Sequence, residues 1–148
     1  MKKRFFLDTN VLIHAQDPRQ PEKQSHAVEW LAALAAHDAI VVSPLVVNEF
    51  SYVVRRKFPR IDSASLRDLV AAMQPWCLAP TTYETSIHGL ALHFDSGFQF
   101  FDCVLLASAA QAGCAFFLSE DMRENRAIED VRIINPFRIS ATQFLAAL

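Results

Sequence analysis

At 148 residues, 52% of them hydrophobic and 20% charged, the chain can close a core of ordinary domain size and is too apolar to be disordered. Its formal net charge of −2, from 14 Lys and Arg against 16 Asp and Glu, excludes a binder that holds nucleic acid by an overall basic surface; such a partner needs a local patch or a bound metal. Three cysteines without CxxC or Cys/His ligand spacing read as buried thiols of a reducing compartment, and no apolar run nears the ~18 residues that span a bilayer, so a soluble cytoplasmic protein without membrane contact is expected.

Residues 4–7 (Arg-Phe-Phe-Leu) predict a first buried strand, which Asp8-Thr9-Asn10 ends far too soon for a signal peptide. A short helix is predicted over 11–15, a loop over 17–21, and a helix over 23–37 from the spacing of Val28, Leu31, Leu34 and Ala35. Residues 40–42 predict a second strand. Ser43-Pro44 then supplies a cap and a first-turn proline for a helix to about Lys57. A helix over 63–73 leads to a third strand at 76–78. Thr81-Thr82-Tyr83-Glu84 has capping-box spacing and opens a helix to about Asp95, with Gly97 beyond its end. Residues 100–112 form the most apolar helix, stopped by Gly113, and 115–118 and 131–134 predict the last two strands. Strands separated by helices predict one α/β domain over 1–148, with a parallel sheet covered on both faces.

Charges belong on solvated faces, so acids among apolar neighbours carry the information. Glu49 shares a helix face with Leu45, Val46 and Val53, and Asp102 shares one with Leu105, Leu106 and Ala109. Asp8 follows the first strand directly, and Ser119-Glu120-Asp121 follows the fourth. Ligands of open α/β sheets bind beyond the carboxyl ends of the strands, where all four acids converge. Crowded carboxylates repel one another, and divalent cations remove that cost. Hard oxygen donors without Cys or His select Mg²⁺ or Mn²⁺, whose chemistry beside phosphate is phosphodiester hydrolysis. A plainer reading stands beside each acid: Asp8 and Asp121 cap the following segments, and Asp102 answers the dipole of its helix. Glu49 has the least room for such a reading, because a mid-helix acid on an apolar face needs a partner.

With these residues in hand, the chain resembles the PIN-domain family, and within it the VapC-type toxins of toxin–antitoxin pairs. The matching segments are Phe6-Leu7-Asp8-Thr9-Asn10-Val11-Leu12-Ile13, Asn48-Glu49-Phe50, the run from Phe100 to Ala109 around Asp102, Leu118-Ser119-Glu120-Asp121-Met122, and a closing strand at Val131-Arg132-Ile133-Ile134-Asn135-Pro136-Phe137. The resemblance implies a Rossmann-like three-layer fold with five parallel strands in the order 3-2-1-4-5. It implies Mg²⁺- or Mn²⁺-dependent endonucleolytic cleavage of RNA, with Asp8, Glu49, Asp102 and Asp121 as the metal-centred catalytic acids. Thr9, Asn10 and Ser119 would orient water or carboxylates. Glu124 stands where many relatives carry a further Asp, and reads either as a metal ligand or as a solvated surface acid. A homodimer and a cognate antitoxin are the implied partners.

Arg123 and Arg126 lie closest in sequence to the expected site and are candidates for RNA contact. The basic run Arg55, Arg56, Lys57 and Arg60 either holds phosphates or solvates a helix end. A dehalogenase-like phosphatase would want a second Asp where Asn10 stands. A PIN fold that binds RNA or acts as a scaffold without catalysis is the remaining alternative; loss of acids would mark it, and all four are present.

Overall fold

The computed structural model describes residues 2–148. Five strands, β1 (Phe5–Leu7), β2 (Ile40–Val41), β3 (Phe116–Leu118), β4 (Ala127–Ile128) and β5 (Val131–Ile134), form one sheet in the order β2-β1-β3-β5-β4. Around it lie α1 (Thr9–Ala15), α2 (Pro21–Ala36), α3 (Pro44–Lys57), α4 (Ser63–Ala71), α5 (Tyr83–Ser96), α6 (Phe100–Gln111) and α7 (Ala141–Ala146). The predicted α/β class is the observed one.

The strands are short, and every residue of β1 and β3 is buried, as a parallel sheet covered on both faces requires. The two strands repeat the same Phe-Phe-Leu triplet in parallel register, Phe5 beside Phe116 and Phe6 beside Phe117. The rings stack at 4.7 and 5.2 Å respectively. Phe144 of α7 meets Phe116 edge-on at 5.1 Å, and the buried Trp30 donates its indole N–H to the Pro136 carbonyl at 2.9 Å. That cluster ties the carboxyl-terminal segment to the strand pair.

The sheet departs from expectation at both edges. The expected third strand is reduced to a parallel bridge between Val42 and Cys77, because residues 74–76 turn in a 3₁₀ helix with Pro75 in its first turn and Leu78 is exposed. The sheet is also not purely parallel. β4 is an added antiparallel edge on β5, turned by Glu129 at φ 55°. The observed order thus differs from the expected 3-2-1-4-5 at its edges, while the four strands common to both keep the same neighbours. Two residues of β4 offer no alternation to read, and left-handed Glu129 is not a residue that announces a turn.

Helix starts shift slightly. Proline sets the first turn of α2 at Pro21, two residues before the predicted start. The box of α5 is closed by Thr82 and Thr85, not by Thr81 and Glu84: each threonine hydroxyl accepts from the other's backbone N–H, at 3.3 and 3.1 Å. Gly97 ends that helix in the left-handed region. Among the described residues, no single helix is long and apolar enough to cross a membrane.

The close approach of α5 to α6 depends on Gly89, where an added Cβ would lie 2.8 Å from the Val104 Cα. Backbone cannot yield as a side-chain tip does. Gly89→Ala is expected to destabilise the protein by about 1–3 kcal/mol despite alanine's better helix propensity. A urea midpoint equal to or above wild type would show that the two helices part without cost.

Candidate active site

Parallel pairing of β1 with β3 places the residues that follow each strand side by side. Asp8 donates its backbone N–H to the Leu118 carbonyl at 3.0 Å, and Ser119 donates to Ile134 at 3.0 Å, so both leave the sheet at the same edge. Asp8 is the N-cap of α1: its Oδ1 accepts from the Thr9 backbone N–H at 2.7 Å. Its Oδ2 accepts from the Ser119 hydroxyl at 2.7 Å and from Asn10 Nδ2 at 3.3 Å. The cap expected as the bland alternative is thus present, and the same carboxylate also belongs to a larger network.

Asn10 Nδ2 reaches Asp121 Oδ2 at 3.0 Å and Ser119 Oγ at 3.3 Å, while the Asp121 backbone N–H donates to Ser119 Oγ at 3.2 Å. Thr9 Oγ1 donates to Glu49 Oε2 at 3.5 Å, linking the strand edge to α3. Asp102 stands in the first turn of α6, where Gln99 caps the helix by accepting from the Asp102 N–H at 3.1 Å.

Asp8, Thr9, Asn10, Glu49, Asp102 and Asp121 all line one open cleft of about 300 Å³. A second hollow of about 490 Å³, walled by Leu45, Gln99 and Phe101, shares Glu49, Asp102 and Asp121 with it. The acids therefore edge a continuous groove.

Their charges conflict. Burial pushes the Asp8 carboxyl up to about 7, against the Ser119 hydrogen bond, and the charges of Asp102 and Glu49 add to the rise. Burial and then Asp102 raise Glu49, and burial and then Asp121 raise Asp102. Asp102 is the electrostatic centre of the group.

The other residues singled out in the sequence lie elsewhere. Glu124 accepts from Arg138 at 2.6 Å and is not part of the cleft wall. The Arg126 guanidinium lies over the Phe98 ring at 4.7 Å, and Arg123 is exposed. Arg55 borders a separate hollow between α3 and α4, and Arg56 lies over the Tyr52 ring at 5.6 Å. Three further residues that the sequence reading did not assign to the site line the cleft: Lys57, His14 and Glu120. Burial pulls the Glu120 carboxyl up, but Lys23 at 2.8 Å and His14 Nε2 at 2.7 Å hold it below the usual carboxylate range. Helical spacing from Glu49 would have found Lys57, and Glu120 stands in the Ser119-Glu120-Asp121 run after the strand, but nothing local marks its pairing with His14.

The Asp8 shift has a stability consequence. Its folded carboxyl keeps a proton that the unfolded chain gives up near pH 4, so stability falls as pH rises from about 4 to 7. Asn at this position has no proton to lose. Without divalent cations, the stability of Asp8→Asn relative to wild type should rise between pH 5 and pH 8, read from urea denaturation. A difference constant with pH would mean that the Asp8 carboxyl is not perturbed.

The family model for the PIN domain matches residues 5–129, which include all four acids. No curated protein matches the sequence. Among solved structures, a chain of a toxin–antitoxin complex from Klebsiella pneumoniae superimposes with a TM-score of 0.60 at 15% identity, over 88% of this chain and 96% of that one. With the family model spanning the strands and helices that assemble the carboxylate cleft, the chain belongs to the PIN-domain family.

Proposed function

We propose that this chain is a metal-dependent endoribonuclease of the VapC type, the toxin of a type II toxin–antitoxin pair acting in the cytoplasm. The observation that carries the reading is the single cleft lined by Asp8, Glu49, Asp102 and Asp121, in which burial first and neighbouring acids second push the carboxyls of Asp8, Glu49 and Asp102 up. PIN domains are generally nucleases, and an all-oxygen cleft at a strand edge suits that chemistry.

The donor set fits Mg²⁺ or Mn²⁺. Among the described residues no three acids are close enough to cage a metal alone. Mg²⁺ does not need such a cage, since it is commonly held by one or two carboxylates, several waters and substrate phosphate. Asn10 Oδ1 is buried without a donor, and metal-bound waters are donors of the kind it lacks. When bound, the cation supplies an activated water and neutralises charge on the leaving oxygen.

The protein's own part is to hold oxygens still. Asp8 is fixed by three hydrogen bonds, and Ser119 couples it to the Asp121 backbone. Asn10 spans Asp8 and Asp121 from one nitrogen, and Thr9 steadies Glu49. Glu124, already paired with Arg138, is left a minor role.

The partners follow from the same reading. An unrestrained ribonuclease damages its own cell, and the similar Klebsiella fold comes from a toxin–antitoxin complex. An antitoxin Arg or Lys placed among the acids would neutralise them as a cation does. Tyr83, Ile87, Leu90 and Phe94 make an exposed apolar stripe along α5, which supports a homodimer.

Cleavage of single-stranded RNA in Mg²⁺ tests the enzyme. Asp8→Asn and Asp102→Asn should each lose at least about a hundredfold in rate, the scale of several kcal/mol of lost charge stabilisation. Asp121→Asn should cost more than Glu124→Gln. Wild-type cleavage by Asp8→Asn would refute the site, and folded wild type that binds RNA without cutting it would favour the non-catalytic alternative. The toxin reading has its own test. Expression alone should arrest growth, expression of Asp8→Asn should not, and a small partner encoded beside the gene should rescue. Equal growth of both strains, with soluble protein confirmed, would remove the toxin and leave the nuclease.

A further inference from the structure

One face of α3 carries two opposite charges. Glu49, Val53 and Lys57 recur every four residues, so they stack along one side of the helix, and all three line the carboxylate cleft. Lys57 is the last residue of α3, which sets its Cα about 12 Å along the axis from that of Glu49 at roughly 1.5 Å per residue.

The neighbouring cations are committed elsewhere. Arg55 borders the hollow between α3 and α4, and Arg56 packs on Tyr52. Lys23 is bound to Glu120, and Arg19 holds Asp17 through Nε at 2.9 Å while lying over the Phe58 ring. Lys57 lowers the Asp17 carboxyl slightly from a distance, but among the described residues it makes no ion pair. It is a cation without an ion pair in the wall of a cleft that also holds five acids.

A nucleic-acid strand gives such a residue work. A metal at the acids attracts one phosphate, yet the flanking phosphates meet Glu49, Asp102 and Asp121 and a chain of net charge −2. A strand stays in the cleft only where cationic groups answer those flanking charges. The roughly 12 Å along the helix axis between Glu49 and Lys57 is more than one nucleotide step, so Lys57 meets a different phosphate of the strand from the one at the acids.

We propose that Lys57 is the seat of a second backbone phosphate, separate from the one at the carboxylates, and so directs the RNA strand along α3. This rests on the nuclease reading and adds the path of the substrate. The adjacent Arg56 is the natural control: it has the same charge at the same helix end and does not line the cleft. Lysine near a helix C-terminus also stabilises the helix, and that effect would be shared by both residues.

The test measures binding and cleavage separately. In Asp102→Asn protein with Mg²⁺, the Kd for a 12-nucleotide single-stranded RNA is followed as salt is raised. Adding Lys57→Ala should weaken binding about tenfold at low salt and make the log–log salt slope shallower by about 0.7, the value for one phosphate contact on a single strand. Arg56→Ala should do clearly less, and Lys57→Arg should restore both Kd and slope. With otherwise wild-type protein, Lys57→Ala should raise KM for the same RNA more than it lowers kcat. Equal effects of Lys57→Ala and Arg56→Ala, in a protein that still cuts RNA, would overturn the phosphate seat and leave the nuclease standing. Wild-type protein that neither holds nor cuts RNA would overturn both.

Discussion

The parallel pairing of β1 with β3 is the constraint from which the cleft follows. Repeated Phe-Phe-Leu triplets stack in register, and the first polar residue after each, Asp8 and Ser119, must then emerge together at one edge. That edge is buried, so the Asp8 carboxylate loses water it would otherwise keep. Three donors only partly replace it, and the carboxyl is pushed to about 7. Glu49 and Asp102 arrive from helices that start near the same edge and deepen the conflict. A core that packs well has been built so that its rim is electrostatically uncomfortable. Such discomfort is tolerated where a cation relieves it.

The cleft is also asymmetric. Its wall crowds Asp8, Glu49, Asp102 and Asp121 together, while Glu120 is hydrogen-bonded to His14 and Lys23, and Lys57 makes no ion pair among the described residues. A uniformly acidic groove would attract metal and repel the rest of a polyanion. On the proposed reading, a cation two helical turns beyond Glu49 is what would let one groove accept both. The overall charge of the chain hides this arrangement, which exists only on one face of α3.

The central layer and the acids were legible in the sequence for physical reasons. Buried strands read as unbroken apolar runs, and an acid next to such a run, or on the apolar side of a helix, has few innocent explanations. The edges were not legible. At 76–78 the apolar run Trp-Cys-Leu had the composition of a strand, but Pro75 and the following turn left it one bridge to Val42. β4 is two residues long and depends on left-handed Glu129, so no periodicity announces it. Within the site, Lys57 could be found by counting from Glu49. The pairing of His14 with Glu120 could not, because the two meet across 106 residues of chain. Of the arginines nearest the site in sequence, Arg126 is spent on Phe98 and Arg123 faces solvent, and in the basic run Arg56 is spent on Tyr52. Proximity along the chain says little about which way a long side chain turns.

The claim that a divalent cation answers the carboxylate conflict is tested most directly by anomalous diffraction from crystals grown with Mn²⁺. The account predicts a peak in direct coordination distance of Asp8 and of at least one of Asp102 and Asp121, lost in crystals of Asp8→Asn. Full-occupancy manganese elsewhere on the surface, with the cleft holding only water at the same concentration, would contradict it.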